Sequence, residues 1–154
     1  MSNPFESTVS DSSDIDWVSQ ARPGPILGVC AFVIAVAGLT AALVFPQLWM
    51  FGAYLRGFFE NGFPALISLA GLLTIPLGGM VASGRLWAAV LTVPATGFLT
   101  LSGLIWLVYT LVGGAFTPIY FVLVVAGGMG IVCSVIAVGL SMKVHQARQA
   151  LLAD

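Results

Sequence analysis

The sequence predicts an all-α, polytopic membrane protein: a four-transmembrane-helix bundle with a short interfacial segment between helices 1 and 2. Three observations carry that prediction. The chain is 59% hydrophobic and only 7% charged, against roughly 25% charged residues in soluble domains. Its mean hydropathy is +1.06. Its five cations and six carboxylates stand at Glu6, Asp11, Asp14, Asp16, Arg22, Arg56, Glu60, Arg85, Lys143, Arg148 and Asp154, with long uncharged runs between them.

A hydrocarbon layer of about 30 Å takes roughly 20 apolar residues as a helix, and only helices or closed barrels satisfy every backbone group there. Four runs reach that length: Pro25 to Phe45, Phe63 to Ser83, Leu86 to Val112 and Pro118 to Met142. None alternates with the period of two that a barrel strand requires.

The chain opens with residues 1–22, which are rich in Ser and Asp and poor in aliphatic side chains. Such a segment buries too little surface to offset its ordering entropy, so a mobile cytoplasmic tail is expected. It lacks the cationic start and short apolar core of a secretory signal. The match of Asn3-Pro4-Phe5 to an endocytic adaptor peptide is attributed to chance. Residues 23–142 form the transmembrane domain, and 143–154 a cytoplasmic helical extension whose Lys143 and Arg148 can meet anionic headgroups.

Element boundaries follow from turn chemistry. Pro25 suits a first helical turn, Pro46 is expected to follow the first span, Asn61-Gly62 and Pro64 to open the second, and Thr117-Pro118 the fourth. Only Ser83, Gly84 and Arg85 separate spans two and three, which predicts a tight hairpin turned by Gly84. Between spans one and two, QLWMFGAYLRGFFENG (47–62) is aromatic-rich and too short to cross. It is expected to lie at the outer interface, with Arg56 and Glu60 paired four residues apart.

Orientation comes from the Lys/Arg bias of short loops. With four spans, Arg22, Arg85, Lys143 and Arg148 share one side and Arg56 stands alone on the other, which places both termini in the cytoplasm. Trp87 and Trp106 are nineteen positions apart, or roughly 28 Å of helix. With Tyr109 and Tyr120 they predict aromatic belts at both interfaces.

Small residues recur every four positions in several spans: Ala126, Gly130 and Ser134, beside Cys133, Ala137 and Ser141, in the fourth; Ala70, Thr74, Gly78 and Ala82 in the second; the first offers Ala31, Ala35, Gly38 and Ala42, with one gap of three. Helices in lipid associate by close backbone approach, so these are expected contact faces, chiefly within one bundle. Thr92, Thr96 and Thr100 line the third span, either bonding back to their own helix or forming a polar lining. Pro76 and Pro94 fall inside the second and third spans and are expected to bend them.

Proton relays, ion-coupled transport and voltage sensing call for ionisable residues within the membrane, and the spans have no Asp, Glu, Lys or Arg. In size and span count the chain resembles four-helix small multidrug antiporters, but residues 25–45 lack the first-helix carboxylate those proteins use. Claudins, tetraspanins and MARVEL-type proteins share the span count. The cysteine motifs of claudin and tetraspanin outer loops are missing from 47–62 and 113–117.

One histidine, His145, and two separated cysteines, Cys30 and Cys133, predict no catalytic residue, no metal site and no cofactor. A net charge of −1 gives no footprint for nucleic acid. The expectation is a non-enzymatic protein of a bacterial inner membrane, a small accessory or structural subunit packing through small-residue faces. Its partners would be the lipid bilayer and a homo-oligomer or larger membrane complex. The alternative is an oligomeric channel or facilitator for an uncharged or weakly polar permeant.

Overall fold

A computed structural model describes the backbone of residues 21–52, 58–114 and 118–153, and the side chains of 21–43, 66–114 and 118–152. Among the described residues the protein is all-helical. Its four helices are α1 (Pro25–Gly52), α2 (Phe58–Ala82), α3 (Leu86–Val112) and α4 (Pro118–Ala153). Three of them, α1, α3 and α4, are long and apolar enough in their described parts to cross a membrane. The described side chains of α2 give a shorter apolar stretch, Leu66–Ala82.

Consecutive helices are neighbours, and α4 closes back on α1. Buried positions recur along every helix with gaps of three and four. On α4 the line is Tyr120, Leu123, Gly127, Gly130, Ser134, Ala137, Ser141, Val144 and Ala147. On α2 it is Ile67, Gly71, Thr74, Gly78 and Val81. A mean spacing of 3.5 residues is the seam of a left-handed bundle, because an α-helix must supercoil left-handedly to keep such a stripe facing its neighbours.

Two apolar clusters occupy the bundle axis, each fed by all four helices. One joins Leu27, Cys30, Ala31 and Ile34 to Val81, Ala88, Ala89 and Ala137. The other joins Ala41, Ile67, Leu99 and Leu123.

The proline and glycine punctuation holds at some boundaries and moves at others. Pro25 and Pro118 begin α1 and α4 as expected. Gly84 turns the α2–α3 hairpin at φ +75°. Its N–H donates to the Val81 carbonyl at 2.8 Å, and the Arg85 N–H donates to Met80 at 3.3 Å. These are the paired bonds of a Schellman ending, which satisfy carbonyls that α2 would leave bare. Gly114 ends α3 with the same φ, its N–H donating to Leu111.

Two expected boundaries differ. α1 does not stop before Pro46 but continues to Gly52, and α2 starts at Phe58, ahead of Asn61-Gly62 and Pro64. An internal proline removes one helical hydrogen bond, whereas ending a helix strands four carbonyls that little water can reach within a membrane. Continuation therefore costs less. Much of the expected interfacial segment 47–62 is thus helix. Arg56, its expected pairing with Glu60, and the side chains of Trp49, Phe51, Tyr54, Phe58 and Phe59 lie outside the described residues. α2 and α3 run unbroken past Pro76 and Pro94.

Candidate functional site

The residues singled out from sequence fall into three places: the helix seams, the membrane-facing grooves and one cationic end. The α1–α2 seam is the closest. A Cβ placed on Gly71 would stand 2.6 Å from the Gly38 carbonyl oxygen, 2.9 Å from Ala41 Cβ and 2.9 Å from the Ala42 nitrogen. One placed on Gly78 would stand 2.9 Å from the Ala31 carbonyl oxygen. Gly38 in turn lies directly against Thr74. Ala31, Gly38, Thr74 and Gly78 thus fall on the seam, as their small size predicts. Gly71, which also meets α1 backbone there, is passed over by four-residue spacing from Ala70, because the buried positions of α2 have gaps of three and four.

On the α3–α4 side, Gly127 meets Thr100, Gly130 meets Thr96 and also Ala37 of α1, and Gly103 meets Leu123 and Val124. The threonine line is therefore a packing seam. Thr92 and Thr96 are fully buried. Thr92 Oγ1 donates to the Ala89 carbonyl at 2.7 Å, Thr96 Oγ1 to Thr92 at 2.7 Å and Thr100 Oγ1 to Thr96 at 2.9 Å. Only Thr96 also reaches across, to Ser134 Oγ at 3.4 Å. Back-bonding of this kind satisfies a hydroxyl without a partner helix. Thr96 and Thr100 meet α4, and none of the three threonines lines a described groove.

Cys30 and Cys133 stand face to face between α1 and α4 as free thiols, a pairing that their distance in sequence concealed. At the opposite end of the bundle, Trp106 stacks on Tyr120 with ring centroids 5.9 Å apart, and Tyr109 meets Trp106 edge-on at 5.7 Å. This corrects part of the expected belt. Trp87 and Tyr109 are exposed as belt residues should be, but Tyr120 is buried and Trp106 half-buried, joining α3 to α4.

The cationic end is built around Arg148. Its Nε donates to the Ala21 carbonyl at 3.2 Å and its Nη2 to the Ser83 carbonyl at 3.4 Å. One guanidinium fork thus holds together the chain entering α1, the α2–α3 turn and the extension of α4. That extension is packed as well as charged: Val144 and Ala147 are buried, and a Cβ on Gly84 would stand 3.2 Å from Val144 Cγ1. His145, nearby on α4, is exposed.

Three grooves open outward. One of about 460 Å³ lies between α1 and α4 and is lined by Phe32, Val36, Thr40, Phe121, Val125 and Met129 among others. A second, about 450 Å³, lies between α2 and α3 and has both Pro76 and Pro94 in its wall. The third, about 490 Å³, sits at the cationic end beside Arg22 and Lys143.

Fold and seams together define a class: a helical membrane bundle held by small residues at heptad spacing, with its described cations gathered at one end. Comparison of the chain with protein-family models, curated proteins and solved structures gives no match.

Proposed function

We propose that this chain is a non-enzymatic integral protein of a bacterial inner (cytoplasmic) membrane that crosses four times with both termini in the cytoplasm. It serves as a small accessory or structural subunit of a homo-oligomer or larger membrane assembly. One observation carries this reading: the described helix seams are closely packed. Gly38, Gly71 and Gly78 meet the neighbouring helix too closely to admit a Cβ, and the Thr92, Thr96 and Thr100 hydroxyls bond back to their own helix. Catalysis and conduction work through an interior with room or reactive groups, whereas an interaction role works through the outer surface. That surface is broad and aliphatic, from Phe32 and Val36 on α1 to Val132 and Val135 on α4.

The small-residue seams are filled from within the chain, so a partner would meet the outward grooves instead. Orientation is supported by the gathering of Arg22, Arg85, Lys143 and Arg148 at one end, where the Lys/Arg bias favours the cytoplasm.

The test is the mass of the particle purified in mild detergent. A subunit gives a complex well above the 16.0 kDa chain, either a multiple of itself or with a stoichiometric second protein. A strict monomer that brings no other chain overturns the proposal.

A further inference from the structure

The groove at the cationic end combines two chemistries. Its mouth carries Arg22, just ahead of α1, and Lys143 on α4. Both are exposed, and neither hydrogen-bonds to another described residue, unlike Arg148. Its floor is apolar, formed by Pro25, Ile26, Leu140 and Val144. Further from the cations, the apolar groove of Phe32, Val36 and Met129 lies between the same two helices. Because the inner side of this helix pair is packed, both openings face lipid. From Ile26 to Val36 is ten residues, about 15 Å of helix, which is half of a hydrocarbon core of about 30 Å.

We propose that the α1–α4 furrow is a binding site for one anionic phospholipid, its phosphate between Arg22 and Lys143 and an acyl chain laid along Ile26 and Leu140 toward Phe32 and Val36. A cationic mouth on an apolar groove, with a second apolar groove further along the same two helices, matches an amphiphile with a negative head. Basic pockets between helices at the cytoplasmic surface hold such headgroups. Free phosphate would satisfy the mouth alone, and the chain's own carboxylates at Asp11, Asp14 and Asp16 are the competing occupant. The site requires membrane residence and stands independently of any partner subunit.

Native mass spectrometry of the full chain, taken from bilayers of equal phosphatidylglycerol and phosphatidylcholine, tests it. One retained phosphatidylglycerol is expected, and excess inorganic phosphate leaves it in place. The double variant Arg22→Gln, Lys143→Gln should weaken retention roughly thirtyfold, while Arg85→Gln, which removes a charge at the same end but outside the groove, preserves it. Circular dichroism of each variant confirms that the helices persist, so a loss reads the site and not the fold. Equal retention of phosphatidylcholine, equal loss in Arg85→Gln, no loss in the double variant, or displacement by phosphate each overturns the proposal. So does anionic lipid binding that emerges only after residues 1–20 are removed, which would assign the groove to the acidic tail.

Discussion

At the scale of single residues, the distinction that matters is which glycines touch another helix. Gly71 leaves no room for a methyl group, and what it meets is α1 backbone together with Ala41 Cβ, none of which can swing aside. Gly79, on the same helix, has nothing within 4 Å of a built Cβ. Gly71→Ala should therefore force α1 and α2 apart and destabilise the bundle by about 1–3 kcal/mol. Gly79→Ala should be neutral or stabilise it by up to about 1 kcal/mol through helix propensity. Unfolding in mixed detergent micelles, followed by circular dichroism, measures both, and equal effects would remove the α1–α2 seam as drawn. The small size of Ala31, Gly38 and Gly78 made this face legible in the sequence. The position of Gly71 was not, because four-residue spacing from Ala70 passes it by, whereas the buried positions Ile67, Gly71, Thr74, Gly78 and Val81 alternate gaps of four and three.

At the scale of elements, hydropathy marks the helices but is blind to their faces, since lipid-facing and core-facing positions are both apolar. Size carries the missing period: Gly127, Gly130, Ser134, Ala137 and Ser141 are small and buried, while Val125, Met129, Val132, Val135 and Ile136 are large and exposed. Helix ends were legible where a residue has one conformational use, as at Pro25, Gly84 and Pro118. They were not at Pro46 and Pro64, where the number of carbonyls left bare decides and a lone proline loses. The two left-handed glycines allow the hairpin to be dissected. Gly84 and Gly114 both sit at φ +75°, but only at Gly84 does a built Cβ meet packed side chains, Val144 Cγ1 foremost. Gly114→Ala should cost about 1–2 kcal/mol of backbone strain. Gly84→Ala should cost that and a further loss from displacing Val144, with the difference abolished by Val144→Ala in both backgrounds. If the two single variants unfold alike, the α4 extension does not pack on the hairpin.

At the scale of the whole molecule, the proposed four crossings rest on parity. Arg148 touches both Ala21, ahead of α1, and Ser83, between α2 and α3, so these three points share one end of the bundle. If α1 crosses a membrane and the chain is back at its starting side by Ser83, α2 must cross as well; α3 and α4 then repeat the excursion. α2 has the reach, with 25 residues giving about 37 Å of helix. α4, with 36 residues and about 54 Å, overshoots the hydrocarbon by the stretch that carries Lys143 and Arg148. Three crossings, by α1, α3 and α4 alone, would put Ala21 on the face opposite Ser83 and Arg148 and break the guanidinium fork. Single cysteines introduced at Ala21, Ser83, Gly113 and Ala150, in a background where Cys30 and Cys133 are alanine, decide this with an impermeant maleimide. The expected result is labelling of Gly113→Cys in intact cells and of Ala21→Cys, Ser83→Cys and Ala150→Cys only after permeabilisation. The reverse pattern at all four sites would keep four crossings and invert the orientation. Ala21→Cys on the side opposite Ser83→Cys and Ala150→Cys, the pattern of three crossings, would end the four-span reading, and with it the common cationic end on which the lipid furrow depends.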